Sequence, residues 1–177
     1  MISFEHINVN GLSTKNDMYE IDEVLGTLKD MEAGVFSLNE HTLNTAKPTV
    51  MKKLWESSRR IDPYAKLSVA SCTKDKSDST WKPGGTLLGV AGRWASRVMN
   101  QGSDPLGRWS WMELRGKAGM VLRVYSAYRV CQEKVENAGV LTACHQQYRA
   151  LVKAKHKIVS PRQAFLADLE HELLVWG

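Results

Sequence analysis

The stretch "HINVNGL", His6 to Leu12, ends an alternating run on two asparagines two residues apart and then on glycine. The alternation begins at Ile2, which predicts a strand with Ile2, Phe4, His6 and Asn8 on one face and Ser3, Ile7 and Val9 on the other. Asn10-Gly11 stops it, because both residues tolerate positive φ, and taken alone the pair is first of all a turn. Residues two apart in a strand share a face, so Asn8 and Asn10 also continue the face begun by Phe4 and His6.

Downstream, Asp17 is a candidate N-cap for a helix with Ile21, Val24, Leu25, Leu28 and Met31 on one buried stripe. Gly34 precedes a second strand, "VFSLNEH" (35–41). Pro48 opens a helix that runs through Val50, Met51, Leu54 and Trp55 to Ile61, and "KLSVASCT" (66–73) reads as a third strand. "KDKSDSTWKPGG" (74–85) is a polar loop closing on a proline and two glycines. Three strand candidates follow: "TLLGVAGRWASRVM" (86–99), "RWSWMELRG" (108–116) and "MVLRVYSAYRV" (120–130). Gly116-Lys117-Ala118-Gly119 is a hairpin connection between the last two. Helices are predicted over 140–157 and 160–176. The second has Ser160 as cap, Pro161 at its first position, Gln163 completing a capping box, and Phe165, Leu166, Leu169, Leu173 and Trp176 on one stripe. This order of elements predicts α+β or α/β layers, with sheet packed against helices.

A chain of 177 residues that is 43% hydrophobic can bury one real core, so one globular unit over 1–177 is expected, or part of a larger one. Apolar runs such as Thr86 to Ala91 are too short to cross a bilayer, and no basic segment followed by an apolar signal core opens the chain. Cys72, Cys131 and Cys144 are an odd, widely spaced set that suits neither a disulfide framework nor a CxxC site. These features predict an intracellular protein, nuclear or cytoplasmic, with no membrane partner. The charge of +5 gathers in Lys47, Lys52, Lys53, Arg59 and Arg60 and again in Arg149, Lys153, Lys155 and Lys157. Interleaved with Met51, Leu54, Leu151 and Val152, they read first as the wet faces of two amphipathic helices, and second as phosphate contacts.

Polar groups gather at strand ends. The faces Phe4, His6, Asn8, Asn10 and Phe36, Leu38, Glu40, and the face from Met120 through Leu122 and Val124 to Ser126 and Tyr128, all begin apolar and finish polar. Such a cluster is costly unless paired, and a site is its usual explanation. Glu40 and Asn10 offer the oxygens that a hard divalent ion prefers, and Asn8 and Tyr128 can donate to a phosphate. Glu40 as a loop cap and Tyr128 as a half-buried strand aromatic are the structural alternatives. The histidines His6, His41 and His145 have no zinc-site spacing, and GxSxG, GxxxxGK[ST] and HExxH are absent.

Taken in order, "INVNGL", "FSLNEHT", "KPGGTLLGVAG" and "RWSWMELRG" running into "VLRVYSAYRV" resemble the endonuclease/exonuclease/phosphatase superfamily, the DNase I-like fold. The likeness is closest to the apurinic-type endonuclease domains of retroelements. The resemblance implies a two-sheet β-sandwich flanked by helices, with a phosphodiesterase or phosphatase site at one end. It implies Glu40 as principal ligand of Mg²⁺ (or Mn²⁺), Asn10 at the second metal-side position, Asn8 in the network beside the phosphate, and Tyr128 as a contact of the scissile phosphate. DNA is the implied partner. Relatives also carry a later Gly-Asp-x-Asn motif and a C-terminal Ser-Asp-His motif. This sequence has no Gly-Asp and no Asp-His pair, and "FLADLEHELLVWG" resembles the helix that precedes the first of them. The expectation is a truncated domain, lacking the C-terminal strands of a sandwich of roughly 200 to 250 residues. Three functions follow: a Mg²⁺-dependent endonuclease with an incomplete catalytic set, a phosphatase of a small phosphate ester, or a non-catalytic relic that binds DNA or a protein.

Overall fold

The computed structural model describes residues 2–13, 19–75, 79–132 and 134–176. Its order is β1 (Phe4–Asn8), α1 (Tyr19–Asp30), β2 (Val35–Asn39), α2 (Pro48–Ile61), β3 (Lys66–Ala70), β4 (Thr86–Val90), β5 (Val98–Ser103), β6 (Trp109–Arg115), β7 (Val121–Ala127), α3 (Ala143–Lys153) and α4 (Pro161–Trp176). Four strands form one sheet in the order β1-β2-β4-β3 and three form another, β5-β6-β7. β1 runs parallel to β2, and every other pairing is antiparallel. The helix-flanked two-sheet α+β arrangement agrees with the expected fold class.

Alternation within β2 decides which layer each side chain joins. Phe36 and Leu38 enter a core with Ile21, Leu25 and Leu28 of α1 and Val50 and Leu54 of α2. Val35 enters the inter-sheet core with Leu88, Val90, Met112 and Leu114. Each aliphatic side chain so buried contributes about 1.5–3 kcal/mol relative to exposure. β4 is central and buried along its whole length. Its Gly89 pairs with Phe36, whose ring would lie 2.1 Å from an added Cβ, so the neighbouring aromatic needs the glycine. β1 and β7 are edge strands, on the side where a seam of polar groups runs between the sheets. His6 Nδ1 meets Ser37 Oγ at 3.1 Å, Ser37 Oγ meets Ser126 Oγ at 2.7 Å, and Asn39 Nδ2 donates to the Ala127 carbonyl at 3.1 Å.

Several expectations change. The strand expected over 86–99 divides into β4, a 3-10 turn at Gly92–Arg97 and β5. Gly92 takes φ 59 and donates its N–H to Asp62, which turns the chain out of the first sheet and into the second. The helix expected from 140 begins at Ala143, because Thr142 is the residue whose hydroxyl accepts from the His145 N–H. In α4 only Phe165 of the expected stripe is buried, beside Pro161 and Ala164, and it packs edge-on against Trp109 at 5.8 Å. Leu166 and Leu173 are exposed, and so is Met31, just beyond α1. Beyond its first turns α4 is held by polar contacts. Asp168 pairs with Arg108 at 2.7 Å, and Trp176 donates to Glu113 at 2.8 Å. The proposed cap Asp17 lies outside the described residues.

The loop over 74–85 is less polar in place than in sequence. Lys82 is only 2% exposed, and its ammonium donates to the carbonyls of Cys72 and Asp75. Burial lowers its pKa, and the two carbonyls satisfy the ammonium that water would otherwise solvate. The lysine thus pins the loop immediately ahead of Pro83-Gly84-Gly85.

The basic runs are partly absorbed as wet helix faces. Arg60 pairs with Asp22 of α1 at 2.6 Å, Lys52 lies near Glu56, and Arg149 pairs with Asp75. Among the described residues no helix is long and apolar enough to cross a membrane.

Candidate functional site

At the C-terminal ends of β1 and β2 the chain keeps its backbone pairing while leaving strand geometry. Val9, Gly11 and Leu12 donate to the carbonyls of Asn39, Glu40 and His41 at 2.7–3.1 Å. Asn10 (φ 48) and Gly11 (φ 99) take the positive φ expected of a turn. The Asn10 N–H donates to Asn8 Oδ1 at 3.0 Å, and Asn8 Nδ2 donates to Glu40 Oε2 at 2.7 Å. One asparagine therefore closes the turn with its oxygen and holds the carboxylate with its nitrogen, so the turn and the cluster are a single structure.

Glu40 itself has φ 56, the left-handed region that a long side chain enters at a cost of order 1–3 kcal/mol. Strand alternation would direct position 40 to the helix side with Leu38. The left-handed turn instead brings its carboxylate to Asn8, whose register partner Asn39 faces the second sheet. Tyr128, one residue past β7, donates its hydroxyl to the other carboxylate oxygen. The strain is supported by the Gly84-Gly85 turn, whose carbonyls accept from Thr42 and Glu40, each at 2.9 Å. Gly85 has φ 94, and an added Cβ would stand 2.5 Å from the His41 ring.

His41 lies under the site, fully buried. The Leu43 N–H donates to its Nδ1 at 2.9 Å, so the ring proton sits on Nε2 and is donated to the Ala70 carbonyl at 3.0 Å. Burial lowers its pKa from 6.5 to about 4, against backbone hydrogen bonds that raise it. The imidazole is a neutral strut for the 40–42 backbone. Burial first, then the hydrogen bond and charge of Glu40, push the Tyr128 phenol well above its ordinary value, so it remains a protonated donor at neutral pH.

Asn10, Glu40 and Tyr128 line a cavity of about 170 Å³ together with Thr42, Trp81, Gly84, Gln132 and Thr142. All four residues singled out in the sequence therefore come together, and Asn8 stands behind Glu40. His41, Gly84 and Gly85 were not singled out as site residues. Their signals were adjacency to Glu40 for the first and, for the glycines, a Pro-Gly-Gly run that reads equally well as an ordinary loop. Among the described residues there is no group of three or more His, Cys, Asp or Glu side chains that could hold a metal ion. The donor set still suits one kind of ion. Each Glu40 oxygen accepts one hydrogen bond, from Asn8 or Tyr128, and keeps a further lone pair, Asn10 adds an amide oxygen, and Mg²⁺ is commonly held by one or two carboxylates while it retains water.

No protein-family model and no curated protein matches this chain. Among solved structures it is similar to an endonuclease/exonuclease/phosphatase family protein from Leptotrichia buccalis C-1013-b. The identity is 11% and the TM-score 0.47, over 89% of this chain and 64% of that one. It is also similar to an endonuclease/exonuclease/phosphatase from Beutenbergia cavernae DSM 12333, with 8% identity and a TM-score of 0.41, over 88% of this chain and 43% of that one. The chain thus spans less than two thirds of the length of either.

Proposed function

We propose that this chain carries the metal and phosphate half of a phosphoric-ester hydrolase site of the endonuclease/exonuclease/phosphatase type, with the phosphodiester backbone of DNA as substrate and a retroelement endonuclease as its nearest kin. The observation that carries the reading is Glu40. A carboxylate is held in a strained left-handed conformation by Asn8 and Tyr128 at the wall of a polar cavity. Strain of this kind persists only where its surroundings impose it, and it concentrates at functional sites.

In this reading Glu40 and Asn10 hold Mg²⁺ (or Mn²⁺), which when bound polarises a phosphoryl oxygen and offsets charge on the departing one. Asn8 orients the Glu40 carboxylate. Tyr128, kept protonated, turns its hydroxyl from Glu40 to a non-bridging phosphate oxygen and steadies the charge that develops there. A cavity of about 170 Å³ admits a phosphate group and not a whole nucleotide, which fits a backbone that lies across the mouth. The residues that would activate water in this superfamily, in Gly-Asp-x-Asn and Ser-Asp-His motifs, have no counterpart in these 177 residues. Binding without turnover is the expected behaviour of the chain alone.

Calorimetric titration of the purified chain with Mg²⁺ and Mn²⁺ tests this. Glu40→Gln, nearly isosteric, should weaken metal binding at least about tenfold, and Tyr128→Phe should leave it within about threefold while it weakens phosphate binding. Plasmid nicking by the chain should stay at background. Parent-like metal affinity in Glu40→Gln would remove the basis of the proposal. Binding to duplex DNA that ignores salt would transfer it to a small phosphate ester.

A further inference from the structure

A second, wider groove lies at the other end of the first sheet. Glu40 follows Asn39, whose register partner on β4 is Thr86. The groove is built around Lys66, which pairs with Val90 at the opposite end of the same strand. The two ends lie four residues apart along β4, roughly 13 Å. The groove has a volume of about 660 Å³ and is walled by Trp55 and Arg59 of α2, Tyr64, Lys66 and Arg93.

Its chemistry is specific in kind. Three cations converge on it, and among the described residues the Arg59 and Lys66 side chains make no ion pair or hydrogen bond. Arg93 stacks on Trp94 at 5.2 Å, which holds its guanidinium near the rim. The nearby acid, Asp62, already accepts the backbone N–H groups of Tyr64 and Gly92. Tyr64 is 77% exposed, an aromatic face offered to solvent beside those charges. Amphipathic periodicity accounts for Arg59 as a wet helix position, but not for an exposed tyrosine and two further cations from other segments meeting it.

We infer that this groove binds a nucleotide unit, its base stacked on Tyr64 against the Trp55 wall and its phosphate on Arg59, Lys66 and Arg93. Cations following a phosphate beside an aromatic platform are the physical elements of sequence-tolerant single-strand binding, in which stacking suits every base. The unit is either part of a single strand or a free nucleotide, and both offer the same base and phosphate. The site does not depend on the role proposed for Glu40.

Fluorescence anisotropy of a fluorescein-labelled twelve-residue oligodeoxyadenylate with the full chain tests it. Arg59→Ala combined with Lys66→Ala should weaken binding about tenfold or more and reduce the slope of log affinity against log salt by about 1.4, the value for two lost phosphate contacts on a single strand. Tyr64→Ala should weaken binding several-fold with the slope unchanged. With EDTA in the assay, so that no metal is held at Glu40, the groove variants should still lose binding, and they should keep the parent's Mg²⁺ titration, so each reading can fail alone. Displacement of the oligonucleotide by AMP at a similar concentration of nucleotide units identifies the ligand as a free nucleotide, and resistance to AMP identifies it as a strand. The inference is overturned by no binding to oligonucleotide or AMP in the presence of EDTA, or by groove variants that bind like the parent. All three substituted residues are at the surface, and circular dichroism of the variants checks that the fold is kept.

Discussion

Acid should destabilise the candidate site through His41. Unfolded, the imidazole binds its proton near 6.5; folded, burial holds the pKa down at about 4. The unfolded chain therefore binds more protons between those values, and stability rises with pH there. The contribution is fully present above pH 6.5 and is lost as pH falls toward the folded value. For one fully buried group with these two pKa values, the loss between pH 7 and 5 is about 2 kcal/mol, and it tends to about 3 kcal/mol below pH 4. Glu113, whose carboxyl is held below its usual 4.5 by Arg123 and Asn100, loses its contribution only at lower pH, so the window from 7 to 5 isolates the histidine. Urea unfolding followed by tryptophan fluorescence at pH 7, 6 and 5 reads the slope, and His41→Gln, which cannot protonate, should flatten it. A His41 ring that titrates near 6.5 by NMR, or an equal slope in parent and variant, would refute the reasoning. Because His41 bridges the Ala70 carbonyl and the Leu43 N–H, its protonation, which in the folded chain waits until about pH 4, should also loosen the backbone that carries Glu40.

Two further outcomes rest on packing. Gly85→Ala puts a Cβ 2.5 Å from the His41 ring and 2.9 Å from the Ala70 carbonyl at a residue of φ 94; a loss of about 2–4 kcal/mol is expected, and a parent-like melting midpoint would show that the turn can relax. Arg108→Met strips the partner from Asp104 where both side chains are only 4% exposed, and should cost about 3–5 kcal/mol. Adding Asp104→Leu should recover much of that in urea titrations, and a single variant as stable as the double would show that Asp104 is better solvated than the packing implies.

Local pattern carried much of the fold. The bounds of α2 agree with Pro48 as a first-turn residue and Ile61 as the end of the apolar stripe. β6 and β7 pair through the expected short connection, where Ala118 and Gly119 take positive φ. Where the pattern misled, the deciding contact was distant. Residues 86–99 read as one strand, and nothing local announces that Asp62, thirty residues earlier, accepts the Gly92 N–H as the chain crosses between sheets. The apolar residues of α4 have helical spacing, but their burial depends on what lies opposite, and Arg108, Arg123 and Glu113 supply polar anchors where an apolar wall was expected.

The sequence by itself determined that polar residues stand at the ends of three strands, because alternation and turn chemistry are properties of a few consecutive residues. It named Asn8, Asn10, Glu40 and Tyr128 in that way. Only the tertiary structure decided that they meet, since Tyr128 lies 88 positions from Glu40 and arrives through the packing of one sheet on the other. Only the tertiary structure, too, set Glu40 in a left-handed turn, with a buried neutral histidine and two glycines from a distant loop beneath it. Backbone strain needs a surrounding that outweighs it, and that surrounding is assembled from segments that no short window of sequence contains together.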